Sequence, residues 1–197
     1  MQKLALSIIL LSAIFAGGCW RSASSSGNNN SKNARASSTP PEIKTSAEKD
    51  PSRIRGAVVH ISDGDTFIMQ DVESGERITI RIHAIDAPEL AQDYGKESRE
   101  HLRALIANQT VEVRRKKTDQ FRRIVGAVFL NGKDIGLEMV DGGYAWHFKQ
   151  YQKEQPPDER QAYASAEATA LYKQLGLWRD ARPVPPWEYR RQHQRRK

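Results

Sequence analysis

In the stretch DGDTF (Asp63 to Phe67), two carboxylates flank one glycine. Asp-Gly is ordinary turn chemistry, but Asp65 stands one step past the turn, where an apolar, β-prone run begins. Three further segments place polar groups at the ends of expected strands: Arg81, then Asp86-Ala87-Pro88-Glu89, then Thr118 to Arg123 (TDQFRR). Singly, each has a plain structural reading. The first is a turn, Arg81 a solvated strand residue, the third a strand end at a proline that cannot continue a ladder, and Arg122-Arg123 a surface pair. Together they compose a site. Asp65 and Asp86 offer the hard oxygen ligands that Ca²⁺ takes, alongside backbone carbonyls and water. The sequence has no His/Cys cluster with zinc spacing, so a soft-ligand site is not expected. Glu89, stiffened by Pro88, is placed to orient or deprotonate a water. Arg81 and Arg123 are suited to grip phosphate oxygens by paired N–H bonds and to oppose the charge that grows as phosphorus gains a fifth oxygen. Water activation, a divalent cation and a charge clamp are what phosphodiester hydrolysis requires.

These residues need a scaffold to bring them together. Ile54 to Ile61 and Thr66 to Met69 read as two strands around the Asp-Gly turn. ERITIRIHAID alternates, with Ile78, Ile80, Ile82 and Ala84 on one face and Thr79, Arg81 and a solvent-facing His83 on the other. A helix is expected from about Tyr94 to Ala107, capped by Asp93, with Ser98, Leu102, Leu105 and Ile106 inward. TVEVRRK and RIVGAVFL are two more strands. A short helix follows from about Asp134 to Val140 and ends at Gly142-Gly143. Asp158 and Gln161 fit a capping box for a last helix reaching about Gln174, with Ala162, Ala166 and Ala170 on one face. Gly176 stops it, and Leu177-Trp178 fold back on the core. The expected class is α+β, mainly β: a five-stranded, OB-fold-like Greek-key barrel with three helices. A mixed open sheet fits the same pattern. Strict alternation puts Arg81 and Asp86 on opposite faces, so they converge only if the strand twists, bulges or ends before Asp86.

In order, DGDTF, RIHAIDAPE, the Tyr94-Gly95 pair, TDQFRR and the GLW of Gly176 to Trp178 resemble the staphylococcal-nuclease-like, or thermonuclease, family across about Ile54 to Trp178. The resemblance implies an OB-fold barrel with three helices, an endonuclease that hydrolyses DNA and RNA with Ca²⁺ and leaves 3′-phosphate ends. It implies that Asp65, Asp86 and the Ala87 carbonyl hold the metal. Glu89 then handles the water, and Arg81 and Arg123 bind the phosphate. Asp63 becomes mainly a turn residue. The family often has Tyr-Gly-Arg where this chain has Phe121-Arg122-Arg123. Arg123 is the expected site arginine, because the strand resumes directly after it. Trp146 falls where an aromatic often lines the base pocket and is either a stacking platform or a core residue.

Outside the domain, residues 1–18 read as an export signal. Lys3 gives a positive start, Leu4 to Ala16 are nearly all apolar, and the run is short for a membrane span. The single cysteine, Cys19, follows Ala16-Gly17-Gly18 and resembles a bacterial lipobox, with alanine where leucine is commoner. Lipidation there would anchor the mature chain to a membrane, at the outer membrane or facing the periplasm in a Gram-negative cell. One cysteine excludes an intrachain disulfide. Residues 19–52 are rich in serine and asparagine and suit a flexible tether. Residues 53–179 suffice for one domain. Residues 180–197 form a basic tail expected to be disordered. From Arg179 onward it holds seven Lys/Arg against two Asp/Glu, most of the chain's net charge of +7, so polyanions are its natural partners. The sequence argues for nothing beyond a monomer. Two other readings compete with the enzyme: a nuclease-like module that binds nucleic acid or protein without catalysis, and an envelope lipoprotein that only binds a polyanion. The acidic and arginine set is complete, which favours the enzyme.

Overall fold

The computed structural model describes residues 50–194. The export segment, Cys19 and the tether up to residue 49 lie outside the described residues. The strands are β1 (Arg53–Ile61), β2 (Thr66–Asp71), β3 (Arg77–Ile82), β4 (Ile85–Asp86), β5 (Thr110–Thr118), β6 (Ile124–Leu130), β7 (Lys133–Asp134) and β8 (Trp146–His147). The helices are α1 (Gly95–Ile106), α2 (Ile135–Asp141), α3 (Pro157–Tyr172) and α4 (Pro186–Gln194), with 3₁₀ turns at Lys149–Glu154 and Gly176–Arg179.

Five strands close a barrel. β1 pairs antiparallel with β2 and β5, β2 with β3, and β5 with β6. The ring is shut by a parallel pairing of β3 with β6, in which Arg81 lies opposite Val125. Closure removes free strand edges and decides against an open sheet. Register shifts at Val58/His60 and Arg115/Lys117 bend β1 and β5, as bulges in small barrels do. Phe67, Met69, Ile80, Ile82, Val111, Val113 and Val128 fill the interior with Leu102, Ile106 and Met139 from the helices. Each such side chain contributes roughly 1.5–3 kcal/mol on burial.

Local departures from the sequence reading have local causes. β3 stops at Ile82, and Ala84 takes a left-handed conformation (φ 67°). The chain turns there, so alternation ends, and Asp86 returns in a separate two-residue strand paired with β8. That turn also buries His83, which is only 3% exposed instead of facing solvent. α1 starts after Tyr94, itself left-handed, with no side-chain cap, so Asp93 does not cap it. Asp134 does cap α2, accepting from the Leu137 N–H at 3.2 Å. The expected capping box of α3 does not form, because Pro157 opens the helix and puts Asp158 in its first turn. Its buried face is Tyr163, Ala166, Glu167 and Ala170, while Ala162 is exposed.

The tail differs most. Residues 186–194, expected to be disordered, form α4. Its first residue is a proline, which suits a helix start because the missing N–H has no intrahelical partner there. Tyr189 Oη donates to the Ala91 carbonyl at 3.1 Å, and Gln92 Nε2 donates to the Val184 carbonyl. These bonds tie the segment back across the turn between β4 and α1.

Candidate functional site

The Asp-Gly turn is held by its own side chain: Asp63 Oδ1 accepts from the Asp65 N–H at 3.0 Å. Gly64 is needed for space, since a Cβ there would lie 1.9 Å from Ser98 Oγ on α1 and 2.8 Å from the Ala87 methyl. The turn is thereby pressed between α1 and the segment after β4. Asp65, at the mouth of β2, is 6% exposed. Its Oδ1 accepts from Thr66 Oγ1 at 2.9 Å, and its Oδ2 from the Ala87 N–H at 2.9 Å.

Arg81 leaves β3 toward the same place. Its Nη1 is 3.0 Å from Asp65 Oδ2 and its Nη2 2.8 Å from Asp86 Oδ1. Nη1 also donates to the Ile85 carbonyl at 3.1 Å. One guanidinium therefore bridges the two carboxylates, and the turn at Ala84 makes this possible. Glu89 follows Pro88. Its carbonyl accepts from Gln92 N–H at 2.8 Å, and a Cβ on Gly95 would meet that carbonyl oxygen at 1.9 Å. The Tyr94-Gly95 pair thus lets α1 start against the Glu89 turn.

Asp65, Arg81, Asp86, Ala87, Glu89 and Arg123 all line one cleft of about 720 Å³. Arg123 reaches the cleft from the segment before β6, where Asp119 holds the guanidinium: Nε to Oδ2 is 2.8 Å, and Asp119 Oδ1 accepts from the Arg123 N–H at 2.9 Å. Arg122 takes the left-handed conformation (φ 63°) and points to solvent, so Arg123 is the arginine that enters. Trp146 does not line the cleft. It packs edge-on against Trp178 at 4.3 Å and Trp187 at 5.6 Å between ring centroids. The aromatic wall is made instead by Phe148 and Trp187, stacked at 5.6 Å and 20°.

Sequence reasoning missed the contribution of α4. Arg190 Nη2 lies 2.7 Å from Asp86 Oδ2, and its Nη1 lies 3.2 Å from Asp86 Oδ1 and 2.8 Å from Glu89 Oε1. The available signal was WEYRR after two prolines: a helix start in which Trp187 and Arg190 are three apart and share a face.

The site carries excess buried negative charge. Burial, together with the charge of Asp65, pushes the Asp63 carboxyl up to about 7. Burial also raises Asp86, against the pull of Arg190, and Asp65 adds to the rise. Crowded carboxylates of this kind call for cations. Among the described residues no three Asp, Glu, His or Cys side chains form a ready metal shell. The donors are nevertheless all oxygen, and two arginines already occupy the position of positive charge. These residues fit a hard divalent cation that takes two carboxylates and completes its shell with carbonyl and water.

Comparison with known proteins identifies the family. Residues 79–180 match the family model described as staphylococcal nuclease homologue. The chain is 37% identical over 147 residues to an uncharacterized endonuclease of Haemophilus influenzae, covering 75% of this chain and 76% of that one. It is 38% identical over 138 residues to an uncharacterized endonuclease of Escherichia coli, covering 70% and 85%. It is 36% identical over 146 residues to a micrococcal nuclease of Shigella flexneri, covering 70% and 80%. The chain belongs to the family of staphylococcal nuclease homologues.

Proposed function

We propose that this protein is a Ca²⁺-dependent nuclease that hydrolyses phosphodiester bonds of DNA, RNA or both. The observation that carries the reading is the single cluster formed by Asp65, Arg81 and Asp86, with Glu89 on the same cleft wall. Asp65 and Asp86 would hold the cation, with the Ala87 carbonyl as a third oxygen donor. A bound Ca²⁺ supplies positive charge at the phosphate and favours a hydroxide-like water. Glu89, with its side chain 39% exposed, is open enough to accept a proton from water. Arg81 is held through Nη1 by the Ile85 carbonyl and Asp65 and through Nη2 by Asp86, and Arg123 through Nε by Asp119. Both guanidinium groups line the cleft, where their remaining N–H groups would meet a phosphate. Phe148 and Trp187 offer rings on which a base can stack. Trp146 packs edge-on against Trp187.

The test is incubation of the purified chain with a labelled single-stranded oligonucleotide, with Ca²⁺ and with chelator. Cleavage with Ca²⁺ that stops on chelation is expected. Binding without cleavage under every divalent ion would favour an inactive nucleic-acid-binding module instead, a reading supported by the way Arg190 covers Asp86 and Glu89.

Export and lipidation at Cys19 belong to the same proposal. They are supported by the apolar run and the Ala-Gly-Gly-Cys sequence. Cys19→Ala is expected to move the protein from the membrane fraction to the soluble fraction, and an unchanged distribution would refute the anchor.

A further inference from the structure

We propose that α4 is a latch that competes with the divalent cation: Arg190 occupies the cation's place at Asp86, and cation binding releases the helix from the cleft. This rests on the cation site proposed above.

Both oxygens of Asp86 are already taken. Oδ1 faces Arg81 at 2.8 Å and Arg190 at 3.2 Å, and Oδ2 faces Arg190 at 2.7 Å. The carboxylate is sealed from water, its side chain 1% exposed. A cation that bonds to Asp86 must therefore take an oxygen from a guanidinium, since two positive groups cannot share one oxygen at contact distance without strong repulsion.

The two arginines are not equally replaceable. Arg81 is 15% exposed, rooted in a barrel strand, and held also by Asp65 and the Ile85 carbonyl. Arg190 is 38% exposed and sits on the last helix. That helix carries no strand pairing. It is held by the packing of Trp187 against Phe148 and Trp146 and by the single hydrogen bonds of Tyr189 and Gln92. Arg190 is thus the group that gives way.

The same fork also holds Glu89 Oε1 at 2.8 Å. A docked α4 blocks the cation ligand and the water-handling carboxylate at once. Release frees both, so one event turns the site on. The latch has an aromatic anchor at Trp187 and a cationic tip at Arg190, about one helical turn later.

Mutual exclusion makes a quantitative demand. If the docked form excludes the cation, the apparent dissociation constant rises by the inverse of the undocked fraction. With α4 docked about nine-tenths of the time, removing the latch strengthens Ca²⁺ binding about tenfold.

Calorimetric titration of the full chain with Ca²⁺ alone, without nucleic acid, tests this. Arg190→Gln removes the tip, Trp187→Ala loosens the anchor without touching an acid, and Arg191→Gln, exposed on the same helix, is the control. Amide exchange across 186–194 is followed in parallel, with and without Ca²⁺. The expected result is about tenfold tighter Ca²⁺ binding in Arg190→Gln and Trp187→Ala, no change in Arg191→Gln, and faster exchange of α4 in the unaltered chain once Ca²⁺ is added. Equal affinity in all four proteins, with α4 equally protected, would overturn the latch and leave the cation site standing. Absence of Ca²⁺ binding in every protein would overturn both.

Discussion

Arg81 stands between Asp65 and Asp86, 3.0 Å from one carboxylate and 2.8 Å from the other. It is a structural counter-ion as well as the proposed phosphate ligand. Removing one partner of a buried ion pair costs about 3–5 kcal/mol, because charge is left unpaired. Arg81→Ala is therefore expected to lose activity and to melt well below the unaltered protein in chelator. Added Ca²⁺ should restore the variant's melting temperature more than it raises the original's, since the ion replaces the missing charge. Equal Ca²⁺ effects on both proteins would remove the cation from this position.

Glu89 presents the opposite case. Its side chain is 39% exposed, and among the described residues its ion pair is with Arg190, itself 38% exposed. Pairs this open contribute about 0–1 kcal/mol. Glu89→Gln should leave the melting temperature nearly unchanged while lowering turnover by roughly 10²–10⁴-fold, the usual size of a lost general base. Thermal melts and oligonucleotide cleavage on one preparation decide it. Matching losses in both would make Glu89 a structural residue.

Arg122 holds a left-handed conformation, one that glycine adopts at no steric cost. A non-glycine residue there is strained by roughly 1–2 kcal/mol, partly offset by the greater freedom of glycine in the unfolded chain. Arg122→Gly is expected to raise stability by up to about 1 kcal/mol and to leave cleavage intact, because Arg122 points away from the cleft. Denaturant unfolding measures the first, and a large loss of activity would show that Arg122 reaches the substrate.

His83 gives the fold a dependence on acid. Burial lowers its pKa below 6.5, Glu159 and Glu154 oppose this, and Lys116 and Lys117 add to it. Its Nε2 has no partner among the described residues. Below pH 6.5 the unfolded chain takes up a proton that the folded chain refuses, so stability falls as pH drops through that window. His83→Gln should flatten this part of the curve. A histidine variant with the same acid sensitivity would shift the cause to other groups, among them His101, which burial also lowers.

Trp146 separates packing from recognition. It sits between Trp178 and Trp187 and away from the cleft wall. Trp146→Ala should cost about 3 kcal/mol, the lower end for a large aromatic in a core, and loosen Trp187 with it. Unchanged stability with a raised KM for oligonucleotide would return it to base stacking.

The sequence carried most of the scaffold because barrel strands announce themselves by alternation, and the chemistry because carboxylates and arginines stand out at strand ends. The convergence of Arg81 and Asp86 was not legible. It depends on one backbone torsion at Ala84, and alanine gives no local hint of a left-handed turn. The burial of His83 follows from the same torsion. Arg190 was hidden for a different reason: composition marks the tail as basic and polar, while its order comes from a tertiary contact more than 100 residues away along the chain, with Asp86. Charge counts describe how a segment meets water, and docking replaces water with a carboxylate.

The parallel pairing of β3 with β6 has a consequence for when the site is assembled. Arg81 and Val125 can be joined only when the intervening segment has wrapped around the core, and the closure entropy of that segment is lost before the contact rewards it. A chain held unfolded, or released before its second half is made, has the cutting residues but no place where they meet. Refolding followed by tryptophan emission and by cleavage together should show hydrolysis lagging behind collapse. Activity is then withheld until the ring is shut.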